Sequence, residues 1–559
     1  MKQISLSILL TLLMSMAGIN ASAYDIAVEN TDGVTIYYNY YNEGKELQVT
    51  FLSLNNSYQD NKNAYVDNVV IPEEVTYMNK SRKVTSIGDH AFRECKSLTS
   101  VTIPNSVTSI GSSAFEWCYM LTSVTIPNSV TSMGGHAFRA CSSLTSVTIS
   151  DIAAWCDISF NDRESNPLYY AHHLFLNGEE LKDLTIPNSV TYIRDYTFSG
   201  CSNLTSVTIE NSVISIGNFT FSGCSNLTSV TLPNSVTYIG ESAFDNCSNL
   251  TSVTIPNGVT YIEYRAFRGC SNLTSVTIGN SVTYIGSDAF EDCSNLTSVT
   301  ISDITAWFSI SFANISSNPL YYAHHLFLNG EELKDLTIPN SVTYIRDYAF
   351  SGCSNLTSVT LPNSVTSIGG YAFMDCTNLT SVTIGNSVTS IGSKAFVACS
   401  GLTSVTIPNS VRSIGNYAFA GCSSLISIIS KMRNPCRISY NCFSDNVFFN
   451  STLYVPQGTK ENYKATPYWY QFFFIEESDP SGIGVANVKA IPVLKQGEDG
   501  MLRITGAPEG TAINVYEIGG QLVGSAKASS DTTVIPTTLS QGSIAIVKIG
   551  EKAVKVLMK

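Results

Sequence analysis

The sequence predicts a mainly-β solenoid, in which coils of about 23 residues stack so that their strands form a parallel sheet, followed by a small C-terminal β-sandwich. Three observations predict it. Phe92, Phe115 and Phe138 are evenly spaced, and the same interval recurs through Phe198, Phe221, Phe244, Phe267 and Phe290, and again through Phe350, Phe373, Phe396 and Phe419. Each of these is followed three residues later by cysteine, from Cys95 to Cys422. Within a unit the apolar residues, taken as Phe115, Cys118, Leu121, Val124, Ile126, Val130 and Met133, leave no run long enough for a long helix.

The elements of one coil follow in order. Val124-Thr125-Ile126 alternates with period two and reads as a short strand. Pro127-Asn128 ends it, because proline cannot donate to a ladder and asparagine suits a turn. Gly134 is expected to allow the next sharp bend. Burying seven such side chains gains roughly 10–20 kcal/mol at best, and ordering the backbone of a whole coil costs at least as much. A coil is therefore stable only when neighbours cover both its open faces. About fifteen coils at the strand spacing make a rod of roughly 70 Å.

Two wider gaps, Phe138 to Phe198 and Phe290 to Phe350, break the rhythm, and each holds an inserted unit, near 150–187 and 302–339. Ser165–Tyr196 is identical, residue for residue, to Ser317–Tyr348. Each insert carries a tryptophan, Trp155 or Trp307, and a histidine pair, His172-His173 or His324-His325. Adjacent strand residues face opposite ways, so such a pair is poorly placed to chelate one metal, and a packing role is expected.

The ends differ in character. Residues 1–23 read as a secretory leader: Lys2, a mostly apolar stretch over Ile4–Met16, then Ala21-Ser22-Ala23 as a cleavage site before Tyr24. No other segment approaches ~18 continuous apolar residues, so no transmembrane segment is expected in the mature chain. Near residues 477–484 a Ser/Asp/Pro/Gly linker intervenes, and residues 485–559 show alternating segments at Ala512–Tyr516, Ser543–Ile549 and Ala553–Met558. Gly519-Gly520 and Gly550-Glu551 read as hairpin turns between them.

Composition narrows the function. The chain has 31 basic and 44 acidic residues, a net charge of −13, and no long basic tract, which argues against nucleic acid. Charged residues make up only 13%, so solubility rests on hydroxyls and amides. The twelve in-register cysteines are expected to form a buried ladder of small hydrophobes, since metal ligation needs four converging ligands rather than a line. Cys436 and Cys442 lie outside the ladder and could pair; Cys156 of the first insert has Phe308 as its counterpart, so that position needs shape and not a thiol. No nucleophile elbow, phosphate loop or metalloprotease motif occurs, and no enzyme, cofactor or metal is expected.

Two outward files are candidate contact surfaces. Thr102, Thr125, Thr148 and their successors form one on the strand face. Tyr238, Tyr261 and Tyr284 form the other, flanked by Tyr192 and Tyr344. Tyrosine offers a large amphipathic contact at small entropic cost, so the tyrosine file is the candidate binding stripe.

The unit Cys-x-x-Leu-Thr-Ser-Val-Thr-Ile-Pro-Asn-Ser-Val-Thr-x-Ile-Gly-x-x-Ala-Phe, covering most of 84–425, resembles the BspA-like class of leucine-rich repeats. The resemblance implies a right-handed leucine-rich-repeat solenoid, with residues 24–83 as an N-terminal cap turning at Val70–Pro72 and residues 426–476 as a closing cap through Tyr454-Val455-Pro456 and Trp469. It also implies a secreted or cell-surface adhesin on a Gram-negative bacterium, with matrix-type extracellular proteins such as fibronectin or fibrinogen as ligands. Val515-Tyr516, Gly519-Gly520 and the ending Ile546-Val547-Lys548 with Val554-Lys555-Val556 resemble a type IX secretion sorting domain, although Gly542-Ser543-Ile544 lacks the tyrosine usual there. A structural spacer without a specific ligand, and a glycan-binding module using tyrosine and tryptophan faces, stand as the alternatives.

Overall fold

The computed structural model describes residues 24–52, 64–439 and 441–478, and in the C-terminal region residues 493–496, 501–505, 507, 509–517, 520–529, 532–539, 543–549 and 552–557. The expected leader, most of the 477–484 linker and the turn positions Gly519 and Gly550-Glu551 lie outside the described residues. The chain forms two compact units, Met1–Glu331 and Glu332–Lys559. In each, coils that recur at the interval of the phenylalanines stack into a parallel β-solenoid.

Every regular coil contributes two strands. In the first unit one coil gives Ser252–Thr254 and Tyr261–Ile262, which pair in parallel with Ser275–Thr277 and Tyr284–Ile285 of the next. The sequence reading anticipated only the first of these, because a two-residue strand is too short to leave a periodic signal. The expected strand at Val124–Ile126 spans Ser123–Thr125, with Ile126 still buried just beyond it.

The core is a line of stacked rings. Consecutive phenylalanines of the repeat lie 5.0–5.5 Å apart with planes within 14° of parallel, and all are fully buried. Beside them the cysteine thiols are equally buried, and those that follow a regular coil point back one coil: Cys118 Sγ donates to the Phe92 carbonyl at 3.0 Å, Cys247 to Phe221 at 3.2 Å and Cys399 to Phe373 at 3.1 Å. All fifteen cysteines are free thiols, Cys436 and Cys442 included.

Gly134 serves a different purpose from the one expected. Its φ is not in the left-handed region; instead a Cβ there would lie 2.4 Å from the Ser112 amide of the preceding coil. The bend falls on neighbouring non-glycine residues, such as His136 at φ 60° and Ala140 at φ 58°.

Each unit has an end of its phenylalanine stack closed by aromatics. In the first unit Ile26–Glu29, Thr35–Tyr41 and Glu46–Thr50 form an antiparallel ribbon, and Glu46–Thr50 then pairs in parallel with Lys80–Ile87. This places buried Tyr65 4.5 Å from the Phe92 ring. In the second unit Phe443 continues the stack at 5.3 Å from Phe419, and Phe448 and Phe472 close it edge-on. The first-strand sheet carries on through Ser427–Ser430, Thr452–Pro456 and Phe474–Ser478. Further along, two antiparallel sheets, Val493–Gln496 with Leu502–Thr505 and Thr532–Ile535, and Leu522–Lys527 with Ala512–Glu517, Ile544–Ile549 and Lys552–Leu557, enclose a core that includes Leu502, Ile513, Val515, Ile535 and Val547.

The first insert interrupts the sheets. A short helix, Ile152–Cys156, is capped by Asp151, whose carboxylate accepts from Ala154 N at 3.0 Å. Leu174–Leu176 joins the sheet in parallel with Ser146–Ile149, then folds back antiparallel on Glu179–Glu180, and a new sheet begins at Asp183–Ile186. The buried Trp155 stitches across this break, donating from its indole to the Thr197 carbonyl at 2.9 Å.

The stack and its thiols can each be tested. Phe244→Ala removes a ring held between Phe221 and Phe267 and is expected to lower stability by about 3–5 kcal/mol in denaturant titration; a loss under about 1 kcal/mol would mean that the stack is not the core. Burial also pushes the Cys95, Cys141, Cys201, Cys293 and Cys422 thiols up to about 12. The unfolded chain ionises these thiols first, so stability is intact below about pH 8.5–9 and falls as pH rises toward 12. A Cys141→Ala variant, followed by circular dichroism between pH 8 and 11.5, is expected to lose less stability over that range than the parent protein.

Candidate binding surface

The tyrosines proposed as a stripe lie on the second-strand sheets. In the first unit the register runs Tyr192, Ser215, Tyr238, Tyr261, Tyr284 and Ser311, one residue per coil. Tyr192 thus flanks the three tyrosines on their own line, two strands from Tyr238 and beyond Ser215. Its side chain is the most open at 57% exposure; Tyr261 follows at 47%, while Tyr238 and Tyr284 are half-buried. Alternation within the strand produces this: each tyrosine precedes a fully buried isoleucine, Ile193, Ile239, Ile262 or Ile285, and so must face outward. The Tyr261 and Tyr284 rings approach to 6.1 Å at 48°, and partial burial raises the Tyr238 hydroxyl above its usual range. Tyr344, 42% exposed, holds the matching position in the second unit, paired with Ser367.

Tyr192 also forms one wall of an open cleft of about 470 Å³, lined by Ala153, Ala154, Asp157, Thr191 and Arg194. Arg194 is engaged there by Asp157 at 2.7 Å.

The threonine file at Thr102, Thr125 and Thr148 faces outward on the first strand. A separate set of threonines, which the sequence reading did not single out, does structural work at the coil corners. Thr122 Oγ1 donates to the Thr99 carbonyl at 3.2 Å, Thr228 to Thr205 at 2.9 Å and Thr274 to Thr251 at 3.0 Å, each reaching back one coil. A second such ladder links Thr260 to Thr237 and Thr389 to Thr366. Asparagines act likewise: Asn272 donates to Asn249 at 3.0 Å and Asn249 to Asn226 at 3.4 Å.

The first insert's histidines are not on a strand as supposed. His172 caps the helix Leu168–Ala171 in the left-handed conformation, φ 62°, with its ring at 2.9 Å from the Gly200 carbonyl. His173 sits just before the strand Leu174–Leu176, with Nδ1 2.5 Å from the Glu180 carboxylate, which also accepts from Asn203. The contact with His173 holds the Glu180 carboxyl below its ordinary range. Among the described residues no three His, Cys, Asp or Glu side chains are disposed to hold a metal ion. Trp155 and Trp307 are 1% exposed, so they supply no sugar-stacking face. Sequence reasoning also missed Glu116, a buried carboxylate held by Arg93 at 2.8 Å and facing Arg139 at 3.6 Å, which ties three successive coils together.

Coils of this length, with a buried Leu, Val, Ile, Phe and Cys framework and a contact face on a regular wall, define a leucine-rich-repeat solenoid. The BspA type leucine rich repeat region matches residues 62–163, 170–297, 237–318 and 322–450, and the chain belongs to that family. Among solved structures it is similar to a leucine-rich repeat protein from Bacteroides ovatus, at 27% identity over 73% of this chain and 94% of that one, with a TM-score of 0.46. A leucine rich cell surface protein from Faecalibacterium prausnitzii is 26% identical over 81% of this chain and 95% of that one, with a TM-score of 0.33. The curated proteins contain no match.

Proposed function

We propose that this chain is an exported adhesin, held at the outer surface of a Gram-negative bacterium, which grips matrix-type extracellular proteins along its second-strand sheet and catalyses nothing. The observation that carries this reading is the file of Tyr192, Tyr238, Tyr261 and Tyr284, four outward aromatics on one rigid wall. Aromatic side chains fixed by a sheet lose little freedom on binding, which is what a contact stripe requires. Among the described residues no helix is long and apolar enough to cross a membrane; the leader at residues 1–23 supplies export, and the sandwich after residue 485 supplies sorting and surface attachment.

Replacing Tyr238, Tyr261 and Tyr284 together with serine, the residue already present at position 215 of the file, is expected to reduce adhesion to immobilised fibronectin or fibrinogen about tenfold or more while leaving thermal unfolding unchanged. Adhesion at the parent level would remove the stripe, and a parent protein that adheres to neither would favour a spacer. Deleting residues 485–559 is expected to abolish surface display, measured by antibody labelling of intact cells. Normal display of the truncated chain would sink the sorting role.

A further inference from the structure

We propose that a coil edge of the second unit, built from Tyr348, Tyr371, Lys394 and Tyr417 with Arg346 beside it, is a binding strip for an acidic polysaccharide. The four residues hold the same position in four successive coils, and all are left-handed, with φ of 64°, 57°, 57° and 59°. That conformation disfavours bulky side chains; here inter-coil bonds impose it, from Tyr348 N to the Gly370 carbonyl at 3.0 Å, Tyr371 N to Ser393 at 3.0 Å and Lys394 N to Asn416 at 2.8 Å. The side chains therefore leave the backbone from fixed points one coil apart, and a ligand meets a row that is already ordered.

The chemistry of the row is cationic and hydroxylic. Lys394 Nζ lies 4.9 Å from the Tyr371 ring centre and 5.8 Å from that of Tyr417. Tyr348 stacks on Tyr371 at 5.1 Å. The stacked rings cover each other's faces, which leaves edges and hydroxyls to a ligand. Arg346 lies 4.9 Å over Tyr344, and its buried Nε makes no hydrogen bond. Neither cation has a carboxylate within ion-pair distance among the described residues; in the first unit Arg93, Arg139, Arg194 and Arg268 are so paired, and Arg265, over Tyr264, is not. The nearest acid in sequence, Asp347, is engaged by the Gly370 amide at 2.7 Å.

Two unneutralised cations in a chain of net charge −13 select an anionic ligand. A repeating polymer fits better than an acidic protein. The strip repeats once per coil, at a rise of about 4.8 Å, comparable with the length of one sugar ring.

The test uses the full chain, with affinity electrophoresis in gels containing polygalacturonate, chondroitin sulfate, dextran or polyglutamate. Retardation by at least one of the two acidic polysaccharides and none by dextran is expected, weakening as salt rises. Lys394→Gln and Arg346→Gln are each expected to weaken binding about tenfold, with Lys394→Arg retaining it and thermal unfolding unchanged in all three. The serine variants of Tyr238, Tyr261 and Tyr284 lie in the other unit and are expected to bind the polysaccharide normally, so failure here and failure of the adhesion stripe are separable. No retardation by either acidic polysaccharide, an unaltered Lys394→Gln, or equal retardation by polyglutamate would each overturn the proposal.

Discussion

Each coil is tied to the one before it by a buried pair of contacts: a phenylalanine ring laid flat on its predecessor, and a thiol donating to its predecessor's carbonyl. The rest of the structure depends on that pairing. A coil alone cannot bury enough apolar area to offset the order it imposes on its backbone. Stacking supplies the missing area and also gives partners to backbone groups that would otherwise be buried unpaired. Cysteine suits the position because it is small and apolar yet carries a weak donor; serine would bring a stronger donor at a larger desolvation cost. Where the first insert replaces the Phe/Cys pair, the indole of Trp155 takes over, making the same kind of bond to a neighbouring coil's carbonyl.

An interior this repetitive leaves little freedom except outward, and the exterior follows the same rule of reaching back one coil. Threonine hydroxyls and asparagine amides bond to their counterparts in the preceding coil, so the wall is held by neutral groups. This explains how a chain with only 13% charged residues stays ordered at its surface. An asparagine ladder has a direction, because each amide donates one way and accepts the other. One interval before the ladder's last acceptor, Asn226, the equivalent Asn203 donates instead to the Glu180 carboxylate of the first insert.

The buried framework was legible in the sequence because a fixed spacing of Phe, Cys, Leu, Val and Ile admits one stacking solution. Phe92 to Phe419 and the ladder cysteines lie where the spacing puts them. The tyrosine file was legible as spacing, since Tyr192 stands two intervals before Tyr238 with Ser215 between them, and the strand pairing follows that spacing. The second strand went unseen because two residues carry no period. Gly134 and the histidine pair were misassigned for a related reason. Glycine is demanded there by the backbone of another coil, and His172 by the end of a very short helix; neither leaves a local trace.

The duplicated block gains a physical meaning from these contacts. In the first unit the insert ends one first-strand sheet on an antiparallel hairpin and starts another, and Tyr192 is the opening residue of the new second-strand sheet. A strand that opens a sheet has a neighbour on one side only, so its outward side chain is less covered than those further along. Tyr192 is 57% exposed there, although Tyr261, whose strand is paired on both sides, still reaches 47%, so the open edge adds to exposure without being its sole source. Tyr344, the last but four of the copied residues, likewise opens its own sheet and is 42% exposed. Copying the block therefore copied a sheet start together with its most accessible tyrosine, so that lengthening the array by this route multiplies the candidate contact without altering the core.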